Sequence, residues 1–365
     1  MESGVAKMPI EDWDKYREEL LQRSGNDNKV VRMLHSRARM NAKKIVFAEA
    51  DHLDVLKAAQ IVYDEGIAIP ILLGNKETIV ELKKEIEFDA DVLIIDINAD
   101  ESNEARNQYA TKFWNNRKRN GVTLYGAQIK MRERNYFGAM MVLEGDADGM
   151  ISGYSRAYPT VVKPIFEVIG KASNVKKVAT VNILTTERGP MFLADTAINI
   201  DPTAEELADI AQMTANVATT FGFDPVMAML SYSNFGSSVH PHATKVREAV
   251  AILHDKKPDL LVDGDIQSDF ALNAELLQSK FPFSKLAGKK VNTLIFPNLE
   301  SANITYKLMK ELNKSDSIGP IIMGLSKSVH ILQLGASVNE IVNMTAVAVI
   351  DVQEREKRKK AKLNV

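Results

Sequence analysis

Short apolar segments alternate with longer amphipathic segments along most of this chain, starting at residue 43. Residues 45–48 (IVFA) predict a strand, and residues 53–64 predict the helix that follows it. The same pairing returns at residues 69–73 and again at 148–153. Strands that are apolar throughout and separated by helices indicate a parallel sheet with helices on both faces. The alternation therefore predicts an α/β fold.

A second α/β series follows, with apolar runs at residues 178–184, 191–194, 226–230 and 260–262. Helices are expected over residues 124–143 and near 268–278 and 300–313. Thr203 and Glu206 stand three residues apart at the start of an amphipathic run, which predicts a capped helix. A length of 365 residues is enough for about two to three domains.

Composition excludes several classes of function. The net charge of −2 gives no overall basic field that would recruit nucleic acid. The absence of cysteine excludes disulfides, a thiol nucleophile and cysteine-ligated metal, and it fits a reducing compartment. No apolar run approaches the roughly 18 residues of a membrane span. We therefore expect a cytoplasmic protein with neither a nucleic-acid nor a membrane partner.

Residues 319–353 combine a turn with a capped helix. Gly319-Pro320 is turn chemistry, and two short apolar runs follow it. Ser337 and Glu340 form a second capping box ahead of an apolar helix that we expect from residue 341 to about 353. A turn that leads into a helix N-terminus can hold an anion. No Gly-x-Gly pair occurs in the chain, so a dinucleotide-binding loop is not predicted.

The loop at residues 231–238 (SYSNFGSS) is a candidate ligand site. It follows the apolar run at 226–230, and ligands of α/β sheets bind at the carboxyl ends of strands. Its hydroxyls and amides suit phosphate or pantetheine, although helix capping accounts for the same residues equally well. His240 and His242 are separated by proline and have no acidic or thiol neighbour, so we expect no metal there. A structural or surface role and a polar contact to a ligand or phosphate stay open for this pair.

Charged residues close to predicted strand ends are further candidates. Cations there can hold phosphate, although a solvated helix face explains them as well. These cations are Arg117, Lys118, Arg119, Arg156 and Lys163. Carboxylates after buried strands are either functional or turn caps. These carboxylates are Asp195, Asp263 and Asp265.

Several segments together resemble the phosphate acetyl/butyryl transferases. They resemble still more closely the related C-terminal part of large, multi-domain malic enzymes. The resemblance covers residues 30–353, and its most specific segments are 148–153 (DGMISG), 192–195, 202–210, 230–236 and 296–299 with Asn303. The opening residues resemble the exit of a malic enzyme's nucleotide-binding domain, so we expect this sequence to belong to a longer polypeptide.

The resemblance implies a fold of two doubly wound, three-layer α/β domains with an intervening cleft. This fold is that of phosphate acetyltransferases and of isocitrate and isopropylmalate dehydrogenases. The expected parts are a linker with a helix over 1–25, a first domain over 26–173 plus 323–353, a second domain over 174–322, and an exposed charged tail over 354–365. The resemblance also implies a homodimer or a higher homo-oligomer.

The resemblance assigns catalytic positions, and the chain departs from the family at most of them. Glu340 stands where the family has its catalytic Asp, and Arg117 is kept as a phosphate-binding cation. Gln333 and Leu334 replace a Ser-Arg pair, and Lys163 replaces an Arg. The family reaction needs a base, phosphate-binding cations and an oxyanion donor, so we expect this site to be degenerate.

The resemblance further implies a ligand, acetyl-CoA or a related acyl-CoA, and no cofactor required within this chain. The expected contacts are Ser231, Ser233, Asn234, Gly236, Ser237, Lys245, Asn298, Asn303, Gly324 and Lys327. We expect a regulatory domain that controls malate oxidative decarboxylation by a malic enzyme domain of the same polypeptide, which would use NADP and a divalent metal. The alternative is an active phosphate acetyltransferase, with Glu340 as base and Arg117, Arg156 or Lys163 on phosphate.

Overall fold

The computed structural model describes residues 29–173, 175–313 and 317–363, so the linker expected over 1–25 lies outside the described residues. The strands are β1 (Lys43–Phe47), β2 (Ala68–Leu73), β3 (Leu93–Ile95), β4 (Gly149–Ser152), β5 (Ala179–Thr186), β6 (Gly189–Ala194), β7 (Met227–Leu230), β8 (Val262–Ile266), β9 (Thr293–Ile295), β10 (Ser317–Met323) and β11 (Ser328–Ile331). The helices are α1 (Lys29–Arg39), α2 (Leu53–Asp64), α3 (Lys76–Glu85), α4 (Asn103–Arg117), α5 (Leu124–Lys130), α6 (Arg134–Glu144), α7 (Tyr158–Val168), α8 (Ala204–Thr220), α9 (Pro241–Lys256), α10 (Ser268–Leu272), α11 (Ala274–Lys280), α12 (Leu299–Asn313) and α13 (Val338–Leu363).

The first sheet is parallel throughout, with the strand order β11-β4-β1-β2-β3. Successive residues of its central strand β1 point to opposite faces. Ile45 and Phe47 belong to a core that includes residues of α1, α2 and α13, whereas Val46 and Ala48 belong to a second core with α4, α6 and α7. Helices thus cover both faces of the sheet, as the uninterrupted apolar runs predict.

The second sheet is mixed, which the apolar pattern alone did not predict. Its order is β10-β5-β6-β9-β7-β8, and β5 pairs antiparallel with both β10 and β6. The physical reason is the short connection between β5 and β6, because Thr186 pairs directly with Gly189 across two intervening residues. A connection of this length permits only an antiparallel hairpin.

Helix α13 links the two sheets through one continuous apolar core. We call each sheet with its covering helices a unit, the first built around β1 and the second around β6. Ile341 and Val347 of α13 share the core with Leu56 of α2 in the first unit and with Ile210 of α8 in the second. The α/β class with two sheets is therefore confirmed. The domain bounds at residues 173 and 322 stay a prediction.

Two long helices expected from the sequence are each divided in two. The run 124–143 forms α5 and α6, because Glu133 adopts an extended backbone ahead of α6. The run 268–278 forms α10 and α11, because the Asn273 side chain accepts a hydrogen bond from Leu276 N (3.0 Å) and so begins a new helix.

The strand expected at residues 260–262 lies further along the chain, at β8. Asp263 and Asp265, expected after a strand, are therefore inside it, and both are buried. Each has partners that make its burial possible. Asp263 Oδ2 accepts from Ser284 Oγ at 2.8 Å, and Arg247 lies 3.3 Å from Asp265 Oδ2.

The charged tail is only partly solvated, which corrects the expectation of an exposed end at 354–365. Helix α13 continues to Leu363, and its first tail residues pack on the first unit. Glu354 pairs with Arg37, and Glu356 lies 2.8 Å from Lys43 Nζ. In the described part of the chain, no helix has the length and apolarity that crossing a membrane requires.

Candidate functional site

A cavity of about 510 Å³ lies in the second unit, at the carboxyl ends of β7 and β9. Strand β7 ends there at Leu230 and is followed by Ser231, and residues 296–298 follow β9. Helix α12 forms another wall with Ser301, Thr305 and Met309. These three positions are four residues apart, so they lie on one face of the helix. The cavity is where an α/β sheet holds its ligand.

The cavity combines an apolar floor with a polar rim. Leu230, Leu294 and Phe296 are buried side chains that form the floor. Hydroxyl groups from both loops and helices lie among them. These hydroxyls belong to Ser231, Ser268, Ser301 and Thr305. Such a surface suits a ligand with an apolar chain and a few hydrogen-bonding groups.

Lys245 supplies the cationic group of the rim. Its Nζ donates to Asp201 Oδ1 at 2.5 Å and to the Pro297 carbonyl at 3.0 Å, and its side chain is 17% exposed. The hydrogen bond and charge of Lys245 hold the pKa of Asp201 below its ordinary value. Asp201 itself is 71% exposed, and such an exposed ion pair is weak. A ligand phosphate can therefore compete with Asp201 for the ammonium group.

The structure brings three of the expected ligand residues together around the cavity, namely Ser231, Lys245 and Asn298. Asn298 also caps α12, because its Oδ1 accepts from Ser301 N at 3.0 Å. Asn303 points elsewhere and donates to the Thr196 carbonyl at 3.0 Å. A ligand role for these residues stays a prediction.

Four other expected contacts hold the 231–238 loop in its own shape. Ser233 is buried, and its Oγ accepts from Ser238 N and lies 3.1 Å from Ser237 Oγ. Asn234 is hydrogen-bonded to Gln267, and Gly236 N donates to Asp265 Oδ1 at 3.1 Å. These hydrogen bonds fix the shape of the loop that begins at the cavity, whereas helix α9 after it is capped by His240 and not by these residues.

The two remaining contacts, Gly324 and Lys327, lie at the crossover between β10 and β11. Gly324 has φ +88°, and a Cβ there would meet Val175 Cγ1 at 2.9 Å, so this position requires glycine for a structural reason. Neither residue lines the cavity described above.

Sequence reasoning missed several residues of the cavity wall. Tyr232 and His242 belong to segments that the sequence already singled out, the 231–238 loop and the histidine pair. The residues that were missed are Asp201, Ser268, Ser301, Thr305 and Met309. The signal for the last three was present, because positions 301, 305 and 309 share one face of a helix that the sequence predicts. The histidine pair also has a role: His240 Nδ1 accepts from His242 N at 3.3 Å and caps α9.

Glu340, at the position of the family's catalytic acid, is held by two partners. Its Oε2 accepts from Ser337 N at 2.9 Å, which completes the expected capping box. Its Oε1 accepts from Lys310 Nζ at 3.1 Å. Partial burial opposes ionisation, but the Ser337 backbone and the Lys310 ammonium outweigh it and hold the pKa of Glu340 below its ordinary value. A carboxylate so stabilised is a weak base.

Gln333 and Leu334 supply no charge to this region. Gln333 Nε2 donates to Tyr306 Oη at 2.9 Å, and Leu334 is 69% exposed. The carboxamide is thus tied to helix α12 of the other unit.

Two of the candidate cations, Arg117 and Lys163, belong to a cluster that contains the Glu167 carboxylate. Glu167 Oε2 accepts from Lys130 Nζ at 2.7 Å and from Tyr136 Oη at 2.6 Å. Burial raises the pKa of Glu167, but these two groups and the charge of Lys163 lower it further than burial raises it. Arg117 acts electrostatically on Tyr136, and its Nε is buried without a hydrogen-bond partner among the described residues. The Glu167 carboxylate thus offsets part of the positive charge assigned to phosphate.

The backbone N–H groups of residues 153–155 form another place that could hold an anion, and Glu49 occupies it. Its Oε2 accepts from the backbone N–H groups of Gly153 and Tyr154, both at 2.7 Å. Its Oε1 accepts from Ser155 N (3.1 Å) and Ser155 Oγ (2.5 Å). Successive N–H groups of this kind form an anion-binding concavity. In this chain the buried Glu49 carboxylate fills it.

The chain is similar to known proteins along most of its length. The family model described as "Phosphate acetyl/butaryl transferase" matches residues 29–349. The phosphate acetyltransferase of Thermoanaerobacterium thermosaccharolyticum is 38% identical, over 89% of this chain and 99% of its own length. A phosphotransacetylase crystal structure from Streptococcus pyogenes has a TM-score of 0.81 at 36% identity, over 88% of this chain and 99% of that one.

The NADP-dependent malic enzyme of Haemophilus influenzae is 36% identical over 97% of this chain. The chain spans about half the length of this relative, 47%, and matches its C-terminal region. The expected resemblance is therefore confirmed, both to phosphate acetyltransferases and to the C-terminal region of malic enzymes. From the matched model and the identity over almost the whole of an acetyltransferase relative, the chain belongs to the phosphate acetyl/butaryl transferase family.

Proposed function

We propose that this chain is a phosphotransacetylase-like regulatory domain of a malic enzyme. It binds acetyl-CoA in the cavity of the second unit and has lost its own transferase activity. One observation carries the proposal: the cavity with Lys245 is open, while Glu340, Gln333 and Glu49 are each engaged by other groups of the chain. A ligand site without a transfer site suits regulation.

Parts of the cavity suit the phosphates and the pantetheine arm of acetyl-CoA. Its volume of about 510 Å³ lies within the usual range for small-molecule sites. Lys245 and His242 at the rim suit the phosphates, and the hydroxyls of Ser231 and Thr305 suit the amides of the pantetheine arm. The apolar floor suits the carbon chain between those amides.

The first prediction concerns Lys245. Lys245→Met is expected to weaken acetyl-CoA binding about 10-fold or more, because a hydrogen bond to a charged group contributes roughly 1.5–3 kcal/mol. Isothermal titration calorimetry measures the change. Lys256→Met, at the exposed far end of the same helix, removes the same charge and is the matched control. Equal affinities of the two variants would reject this cavity, and no binding by the unmodified chain would reject the proposed function.

Control of a neighbouring domain requires that acetyl-CoA prefer one arrangement of the polypeptide. Differential affinity of this kind is typically 1–3 kcal/mol in allosteric proteins. The partner would be a malic enzyme domain in the same cytoplasmic polypeptide, with NADP and a divalent metal as its own cofactors. The malic enzyme relatives, which are about twice as long as this chain, support that arrangement.

A second copy of this chain is a further proposed partner. Ile304, Leu308 and Leu312 lie on one face of α12 and are 63%, 55% and 74% exposed. A continuous apolar stripe of this kind favours self-association. Leu308→Glu is expected to halve the mass measured by light scattering, while Val80→Glu, on the exposed face of α3, leaves it unchanged. A monomeric mass for the unmodified chain would refute the dimer.

The alternative, an active phosphate acetyltransferase, keeps one specific support. Two relatives named phosphate acetyltransferase match along nearly their whole length, 99% and 96%. In that function Glu340 would be the base, and Arg117, Arg156 or Lys163 would hold phosphate.

A further inference from the structure

Helix α12 presents two different faces to the two units. Ser301, Thr305 and Met309 line the cavity. Tyr306 and Lys310, each one position further on, reach the segment that leads into α13. A helix turn is rigid on this scale, so a shift of one face moves the other.

The contacts of Tyr306 and Lys310 connect the two units. Tyr306 is 4% exposed, and its Oη accepts from Gln333 Nε2 (2.9 Å) and donates to Ser317 Oγ (3.3 Å). Lys310 Nζ donates to Glu340 Oε1 at 3.1 Å, with side chains 29% and 32% exposed. Gln333 and Glu340 belong to the segment that follows β11 of the first sheet, whereas α12 contacts β5 and β6 of the second. We call these two interactions the α12 latch.

We propose that the α12 latch couples the acetyl-CoA cavity to the relative position of the two units, with Lys310 and Glu340 as positioning residues. This coupling rests on the proposed binding of acetyl-CoA. Gln333 and Glu340, two positions of the degenerate catalytic site, thereby hold α12, which forms a wall of the acetyl-CoA cavity. The cavity and the latch are present together in this structure, and the coupling assigns the higher affinity for acetyl-CoA to this latched arrangement.

Because binding and the latch are thermodynamically linked, the coupling can be measured either as a change in acetyl-CoA affinity or as a change in latch stability. If the latched arrangement binds better, breaking the latch weakens binding, and binding in turn strengthens the latch. Allosteric couplings commonly change affinity by about 5–150-fold. The group that breaks the latch need not touch the ligand, because neither Lys310 nor Glu340 lines the cavity.

Two substitutions break the ion pair with little other change. Glu340→Gln keeps an oxygen that can accept from Ser337 N, because glutamine also serves in a capping box. Lys310→Met keeps the apolar stem of the side chain. Lys307→Met, on an exposed position of the same helix, is the matched control.

Calorimetric titration with acetyl-CoA tests the coupling. Each latch variant is expected to bind about 5-fold or more weakly than the unmodified chain, while Lys307→Met binds as the unmodified chain does. The double variant is expected to be no weaker than either single variant, because both remove the same interaction. Hydrogen exchange of the first turns of α13 is expected to slow when acetyl-CoA binds the unmodified chain.

Affinities of the latch variants within about 2-fold of the unmodified chain, with unchanged exchange in α13, would overturn the coupling and leave acetyl-CoA binding intact. Additive losses in the double variant would also overturn it, because the two residues would then act separately. No binding by the unmodified chain would instead overturn the proposed function and the coupling together. A lower melting temperature with unchanged affinity would show a structural role alone.

Discussion

Acetyl-CoA and phosphate incubated with this chain are expected to give acetyl phosphate about 10⁴-fold or more slowly than with an active phosphate acetyltransferase. Loss of one oxyanion donor typically reduces a rate by about 10²–10³, and loss of a general base by about 10²–10⁴. Leu334 has no group for phosphate, and Gln333 donates to Tyr306 instead. Glu340 is held ionised between Ser337 and Lys310. The groups that would bind phosphate and the oxyanion are therefore lost, and the base is weakened as well.

The measurement is a coupled assay of free CoA, with the relative from Thermoanaerobacterium thermosaccharolyticum as the active reference. Calorimetric binding of acetyl-CoA by the same preparation shows that low turnover is not caused by unfolded protein. A rate within about 100-fold of the reference would contradict the regulatory proposal and favour the alternative, because one missing oxyanion donor alone accounts for about that loss. The double substitution Gln333→Ser with Leu334→Arg is expected to raise the rate.

The fold could be predicted from local patterns because those patterns depend on local physics. Thr203 and Glu206 form the expected capping box, and α2 spans the residues 53–64 that its apolar spacing predicts. The antiparallel β5 was not predicted, since its apolar run is compatible with either direction. The direction depends on the two-residue connection at 187–188, which contains no strong turn signal.

The candidate site was only partly predictable, because its polar groups have long-range partners. Ser231, Lys245 and Asn298 followed from the strand-end rule and the family resemblance, and all three line the cavity. The Lys310–Glu340 pair joins residues 30 positions apart, and no local sequence pattern predicts it. A capping box at Ser337–Glu340 was visible in the sequence, while its second partner required the fold.

Glu49→Gln is expected to lower the free energy of unfolding by about 3 kcal/mol or more, since hydrogen bonds to a buried charged group contribute roughly 1.5–3 kcal/mol each. Glu49 is 2% exposed and accepts four hydrogen bonds from residues 153–155. An amide nitrogen in place of one oxygen would face N–H donors and leave them unpaired. Urea denaturation at neutral pH measures the loss.

Glu77→Gln, at an exposed site in the first turn of α3, is the control and is expected to change stability by no more than about 0.5 kcal/mol. Added phosphate separates two roles for the concavity at residues 153–155. If Glu49 is only a structural anion, phosphate does not restore the variant, because the pocket is shaped for a buried carboxylate. If millimolar phosphate restores stability and the chain also shows turnover, the concavity at residues 153–155 is a phosphate site. The argument that the catalytic site is degenerate would then be wrong.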